Sequence, residues 1–282
     1  MSLRVLSDED LRFYDENGYL LVPNAAPQEN LDAVINALFE NLGIDKNNPD
    51  DWYRSPLPVG GMIEMYQHQA MWNNRQHPVI HDIFTDLLGT EKLWVTIDRV
   101  NMKPPYREDH PEYDNRGFMH WDADISYAMQ SPHGVQGVLY LADTPEGMGG
   151  FQCAPGHHKV VMEWAKNIEP GSKERPDMTN VPSLPIPGKA GDLVIWNRLL
   201  YHGNGRNLSD KPRLAQYISM SPAPTGEDFE MRREDRIYRW RSRLNPSADW
   251  SPGDPRRYEE LHGTTAELTP LGEKLLGLTA WE

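Results

Sequence analysis

His120 and Asp122 stand two residues apart in Gly117-Phe118-Met119-His120-Trp121-Asp122-Ala123-Asp124-Ile125-Ser126. The stretch reads as a strand, and in a strand residues i and i+2 share a face. An imidazole and a carboxylate would then aim at one point, with Trp121 on the opposite side. One nitrogen and one oxygen donor make only part of a metal site, so a third ligand is sought among the ten histidines. His202 stands out, in Trp196-Asn197-Arg198-Leu199-Leu200-Tyr201-His202-Gly203-Asn204-Gly205. It follows an apolar run that reads as a strand, and Gly203 and Gly205 leave little bulk to block a metal. Two His and one carboxylate, with coordination positions left open, is the arrangement of non-haem iron(II) oxygenases. Arg213 heads Arg213-Leu214-Ala215-Gln216-Tyr217-Ile218-Ser219, where alternation places Arg213, Ala215, Tyr217 and Ser219 on one face. A guanidinium at the mouth of a barrel suits a carboxylate, which its planar fork accepts in bidentate geometry. Each residue also has a bland reading. His120 and Asp122 could be a surface hydrogen-bonded pair, His202 a structural histidine and Arg213 half of an ion pair.

The elements that must position these groups follow from pattern. Residues 93–222 hold a series of short strands with no helices alternating between them: Leu93 to Lys103, the stretch around His120, Val135 to Leu141, Phe151 to Ala154, Asp192 to Trp196, and Arg213 to Ser221. Turn sequences such as Pro145-Glu146-Gly147-Met148-Gly149-Gly150 separate them, so an antiparallel sandwich or barrel is expected rather than a parallel sheet. On the first strand one face carries Val95, Ile97, Arg99, Asn101 and Lys103, as expected where a sheet lines a wet pocket. Helices are expected before and after the strands. Ser7-Asp8-Glu9-Asp10 reads as a helix start; Gln28 to Leu42 and Pro78 to Leu88, closed by Gly89, carry apolar residues at helical spacing. Between these helices, residues 43–75 read as loop, as does the polar stretch 106–116. The Arg232–Arg243 run reads as a solvated helix face and Pro270 to Leu278 as a last helical piece. The expected organisation is one domain over 1–282, with a helical N-terminal support (1–92), a strand core (93–222) and a C-terminal extension (223–282).

Bulk properties bound the partners. The 282 residues carry a net charge of −14, which argues against nucleic acid and anionic membrane as general partners. Aromatics at 10%, nine Trp among them, indicate a packed globule. The single cysteine, Cys153, excludes a disulfide within the chain and a cysteine-rich metal site, so any metal is held by His, Asp or Glu. No apolar run has the length of a membrane helix, and residues 1–8 lack the pattern of a signal peptide, so a cytoplasmic protein is expected. Oligomeric state is not legible.

Further marks fall in order along the chain: Asn17-Gly18-Tyr19-Leu20-Leu21-Val22-Pro23, Val100-Asn101-Met102-Lys103-Pro104, Gly150-Phe151-Gln152-Cys153-Ala154-Pro155-Gly156-His157-His158-Lys159, and Gly191-Asp192-Leu193-Val194-Ile195-Trp196. With His120-Trp121-Asp122, His202-Gly203-Asn204-Gly205 and Arg213, the set resembles the phytanoyl-CoA dioxygenase family of iron(II)/2-oxoglutarate oxygenases over most of residues 10–222. The resemblance implies a mainly β fold with flanking helices around a double-stranded β-helix (jelly-roll, cupin-like) core. It implies iron on His120, Asp122 and His202, and the distal carboxylate of 2-oxoglutarate on Arg213 with help from Asn204. Asn101 and Arg99 match positions that contact cosubstrate or substrate. Asp124, two past Asp122, is a candidate for touching substrate or supporting Arg99. The implied reaction consumes 2-oxoglutarate and O2, releases succinate and CO2, and hydroxylates an unactivated C–H bond of a small or medium-sized organic molecule. Two alternatives stand beside it. One is a catalytically silent jelly-roll that binds a metal or small ligand, against which the intact triad and Arg213 count. The other is a cupin-type enzyme without 2-oxoglutarate, which has no need of a carboxylate clamp at Arg213. The substrate itself is not legible: stretches 43–75, 104–116 and 222–250 are expected to set specificity, and nothing in them marks a CoA site.

Overall fold

The computed structural model describes residues 3–114, 117–131 and 134–282. The first two residues of the N-terminal stretch, and residues 115 and 116 of the expected loops 106–116 and 104–116, lie outside these. Helix α1 (Asp8–Asn17) is opened by a capping box between Ser7 and Asp10 and closed by Gly18 in the left-handed region. Strand β1 (Tyr19–Val22) and helix α2 (Gln28–Leu42) follow, then β2 (Met62–Ile63), α3 (Gln69–Arg75) and α4 (Pro78–Leu88). Strands β3 (Leu93–Val95), β4 (Val100–Lys103), β5 (Met119–His120), β6 (Val135–Tyr140) and β7 (Phe151–Cys153) come next. Helix α5 (His157–Ala165) then precedes β8 (Leu184–Pro185), β9 (Leu193–Asn197), β10 (His202–Asn204), β11 (Arg213–Tyr217) and β12 (Met220–Pro222). Three helices end the chain: α6 (Phe229–Ser242), α7 (Tyr258–His262) and α8 (Pro270–Leu276).

The strands form a six-stranded sheet in the order β1-β9-β6-β11-β4-β2, facing a four-stranded sheet β5-β10-β7-β8, with β12-β3 as a separate pair. All pairings are antiparallel. This is the antiparallel sandwich expected from the strand pattern, in the jelly-roll form that the family resemblance implies. Period-2 alternation divides the residues between two layers. Tyr19, Val138, Tyr140, Val194, Trp196 and Ala215 point between the sheets, where Phe151 and Cys153 of β7 meet them. Their neighbours Leu20, Val22, Leu139, Leu193, Ile195 and Leu214 point outward, into a larger core with Leu31, Val34 and Leu38 of α2 and Ile80, Ile83 and Phe84 of α4. Ala266, Leu275 and Leu276 from the C-terminal extension join that core.

Several local expectations are corrected. Helix α5 lies between β7 and β8, where strands alone were expected. The strand read from Arg213 to Ser221 ends at Tyr217, with Met220–Pro222 a separate strand. The strand read from Leu93 to Lys103 is two strands: the Asp98 carboxylate accepts from Arg99 N at 2.7 Å, and Arg75 Nη2 donates to the Asp98 carbonyl at 2.6 Å. That turn sends β3 to pair with β12 and β4 to pair with β11. The stretch around His120 is a strand only over Met119–His120, and a 3-10 turn occupies Ile125–Tyr127. Residues 43–75, read as loop, contain β2 and α3. The Arg232–Arg243 run is helical but not simply solvated, since Arg233, Arg236 and Arg239 donate to backbone carbonyls.

Candidate metal centre

Strands β10 and β5 place His202 directly opposite His120, so two imidazoles reach the same point from neighbouring strands. Gly203 permits this closeness: a Cβ there would sit 1.9 Å from the Phe118 carbonyl oxygen. The Nδ1 of His202 lies 2.9 Å from the Leu200 carbonyl, which fixes that nitrogen as the donor and turns Nε2 inward. Trp196 and Phe151 pack against the His202 ring. Asp122 completes the group, with Oδ1 3.1 Å from His120 Nε2 and Oδ2 3.3 Å from His202 Nε2. Ligand atoms of all three lie within 4.8 Å of one another. Burial works to raise the Asp122 carboxyl, but bonds from His120, His202 and Gln136 outweigh it and hold the group far below the usual range, as an anion. Trp121 turns away as expected, donating to the Leu199 carbonyl at 2.9 Å. Phe118, 68% exposed, stacks on His120 and leaves this end of the barrel open.

Sheet register sets out the rest of the pocket in rows. Lys103 faces Arg213; Asn101, Ala215 and Tyr140 form the next row. Tyr217 and Val138 form the third, which Arg99 joins by accepting from Tyr217 N at 3.0 Å. Gln136 lies one step beyond Val138 on the same face, and its Nε2 donates to Asp122 Oδ2 at 2.6 Å. The pocket therefore runs from Arg213 at the closed end to the His–Asp–His cluster at the open end.

Arg213 is 1% exposed, with Nη1 donating to Asn101 Oδ1 at 2.9 Å and Nη2 to Asn204 Oδ1 at 3.2 Å. Both partners are neutral amides, Nε has no partner, and among the described residues no carboxylate pairs with this guanidinium. A buried cation left uncompensated is costly, so the arrangement suits an incoming anion. Lys103 sits beside it, buried and bonded to the Gly205 carbonyl, and burial together with the Arg213 charge pushes its ammonium down to about 7. Lys103 and Gln136 were given no role from sequence. The alternation that placed Arg99 and Asn101 inward includes Lys103, and the same alternation on β6 places Gln136 inward with Val138 and Tyr140. What was not visible is what each touches.

Other residues singled out from sequence lie elsewhere. The Asp124 carboxylate caps the 3-10 turn by accepting from Ser126 N and Oγ, with Arg175 3.7 Å away. It gives no support to Arg99, whose partner is Glu64 at 2.7 Å. His158 holds the end of α1 through the Asp15 carbonyl. Cys153 is fully buried between the sheets, and burial pushes its thiol up to about 12, consistent with packing.

A family model described as phytanoyl-CoA dioxygenase (PhyH) matches residues 14–215. The chain belongs to the phytanoyl-CoA dioxygenase family. A curated relative from Dictyostelium discoideum that carries the phytanoyl-CoA dioxygenase name is 22% identical over 262 residues, covering 76% of this chain and 75% of that protein. Among solved structures, the epimerase SnoN in complex with Fe3+, alpha-ketoglutarate and nogalamycin RO matches with TM-score 0.56 at 19% identity, over 79% of this chain and 88% of SnoN. GlcNAc Inducible Gene 2 from Candida albicans matches with TM-score 0.73 at 13% identity, over 98% of this chain and 77% of that one. These two show the shared fold. Phytanoyl-CoA dioxygenase family members take iron and 2-oxoglutarate, and the donor set here fits that metal: two imidazole nitrogens and one ionised carboxylate, within 4.8 Å of one another. The chain is accordingly a dioxygenase of this type. Among the described residues no helix is long and apolar enough to cross a membrane.

Proposed function

We propose that this chain hydroxylates an unactivated C–H bond of a small or medium-sized organic substrate, with release of succinate and CO2. In this reading His120, Asp122 and His202 hold iron(II), and Arg213 receives the distal carboxylate of 2-oxoglutarate. Asn101 and Asn204 orient the guanidinium, each through one amide oxygen. Bound at the cluster, iron(II) supplies the oxidative decarboxylation of 2-oxoglutarate that drives substrate oxidation. The chain's own residues supply position and shelter. Gln136 holds Asp122 by one oxygen, His202 is fixed by Leu200, and Tyr140, Phe151 and Trp196 keep the inner pocket apolar. The presence of Asp122 favours hydroxylation over halogenation, because halogenases of this kind lack the carboxylate and bind halide in its place.

The observation that carries the reading is the buried, unpaired charge of Arg213 at the far end of a pocket whose mouth holds the three ligands. A metal enzyme independent of 2-oxoglutarate has no use for it. The test is a screen of small organic molecules for stimulated succinate release under 18O2. A hit whose product carries one labelled oxygen, absent with Asp122→Ala, is the expected result. Succinate release with a product that gains no oxygen from O2 would replace hydroxylation by another oxidation.

A further inference from the structure

A second concave site lies where the β3–β12 pair meets α6 and the stretch 246–247. It has a volume of about 320 Å³ and shares no lining residue with the metal centre or with the rows that lead to Arg213. Its polar groups are Arg232, Asp235 and Arg236 of α6, Thr96 just past β3, Ser221 of β12, and Ser247. Arg236 is anchored at one end only. Nε donates to the Leu276 carbonyl at 2.9 Å, and Nη2 to the carbonyls of Val95 and Leu275 at 2.7 and 3.1 Å. Its Cζ lies 4.9 Å from the centroid of the Trp94 ring, which stacks on Phe229 as well. These contacts fix the guanidinium and leave Nη1, which is not enclosed, without a partner among the described residues.

Arg232 stands one helical turn before Arg236 on the same face of α6, exposed and with no side-chain partner among the described residues. Like charges at this spacing repel across a helix surface. Asp235, the only carboxylate among the described lining residues, does not relieve them. Both its oxygens are taken by Arg239 Nε, at 2.8 and 2.9 Å. A chain of net charge −14 thus keeps two guanidiniums around a cleft whose one carboxylate is engaged elsewhere. Tying down the C-terminal extension accounts for the three bonds of Arg236, but not for Arg232 beside it.

The other polar groups of the cleft can all donate. The hydroxyls of Thr96, Ser221 and Ser247 make no hydrogen bond among the described residues. Thr96 is held in place by its N–H, which donates to the Ser219 carbonyl at 2.8 Å. Pro222, Pro224 and Pro246 stiffen the rim. Two cationic forks and three hydroxyls supply more donors than the two oxygens of a carboxylate can use. A phosphate group offers more acceptor oxygens and a higher negative charge. We infer that this cleft is a binding site for a phosphate group, with Arg232 and Arg236 as the charged contacts and Thr96, Ser221 and Ser247 as hydroxyl donors. Free phosphate and a phosphate monoester share that chemistry.

The test is calorimetric titration of the full-length chain with inorganic phosphate and, separately, with methyl phosphate, at constant ionic strength. Saturable binding is expected for at least one of them. Arg232→Gln, at an exposed side chain that the fold does not use, should weaken it at least tenfold with the denaturation midpoint unchanged. Thr96→Val should weaken it several-fold. Arg213→Ala should leave it unaltered; loss of binding there would put the phosphate in the cosubstrate pocket and overturn the site. Tighter binding of methyl phosphate would identify the ligand as a phosphorylated small molecule, and tighter binding of inorganic phosphate as the free ion. No saturable heat at millimolar concentration, or binding indifferent to both Arg232→Gln and Thr96→Val, would likewise overturn it. Neither iron nor 2-oxoglutarate takes part, so the outcome is independent of the proposed function.

Discussion

Arg213 and Lys103 face each other across β11 and β4; among the described residues no carboxylate pairs with Arg213, and the charge of Asp114 offsets only part of what burial and Arg213 do to Lys103. An anion offsets the cost of burying them, and a bidentate carboxylate also satisfies the guanidinium geometry. Arg213→Lys, which keeps the charge but not the fork, should therefore weaken 2-oxoglutarate at least tenfold, read by equilibrium binding to the metal-loaded protein. Lys103 makes a separate prediction about stability. Its folded value of about 7 lies below the ordinary lysine value of 10.5. Between those pH values the unfolded chain binds a proton that the folded chain does not, so stability from this group rises as pH increases from about 7 towards 10.5. Below about 7 both states are protonated and the contribution is flat. Denaturation midpoints of Lys103→Met should lack that rise; an identical pH slope in the variant would show that Lys103 is not the group responsible. At this scale much was legible, because ligand types and spacing are chemistry in themselves. The role of Lys103 was not, since it depends on which residue lies opposite in the neighbouring strand.

Strands β5 and β10 are short, and their register is what brings together two histidines distant in sequence. Gly203→Ala would drive a methyl into the Phe118 carbonyl and force the two strands apart. The expected cost is about 1–3 kcal/mol of stability, with iron(II) affinity falling further than stability does. Unchanged affinity would mean that His120 is not held by this pairing. Helices α2 and α4 were read to the residue, because each combines an apolar stripe with a glycine in the left-handed region at its end. The break between β3 and β4 was missed because its cause is Asp98 and Arg75, a side-chain turn and a contact from far along the chain. Helices α3 and α5 were missed because their short apolar patterns do not stand out from loop. Asp124 was misplaced for a related reason: extending the strand past His120 put it on the metal face, whereas the chain turns first.

The C-terminal extension is tied to the barrel by arginines as much as by apolar packing. Arg236 donates Nε to the Leu276 carbonyl at 2.9 Å and Nη2 to the carbonyls of Val95 at 2.7 Å and Leu275 at 3.1 Å. Arg236→Met leaves these acceptors without a partner and should cost at least about 2 kcal/mol in chemical denaturation. A chain ended after Pro222 loses Ala266, Leu275 and Leu276 from the main core and should show no cooperative unfolding transition. The strand pattern made an antiparallel sandwich or barrel legible, and the ordered family motifs made it a jelly roll. The part played by residues 223–282 in the core was not legible, because their arginines look like a solvated face until their carbonyl partners are seen. The central claim for the whole molecule is that iron(II) and 2-oxoglutarate meet in this pocket. It is tested most directly without oxygen, by adding iron(II) and then 2-oxoglutarate and recording the visible charge-transfer band of the chelate, with Asp122→Ala and Arg213→Ala alongside. A band is expected in wild type that is lost in Asp122→Ala and that needs far more 2-oxoglutarate in Arg213→Ala. Protein shown to hold iron(II) but giving no band would contradict it.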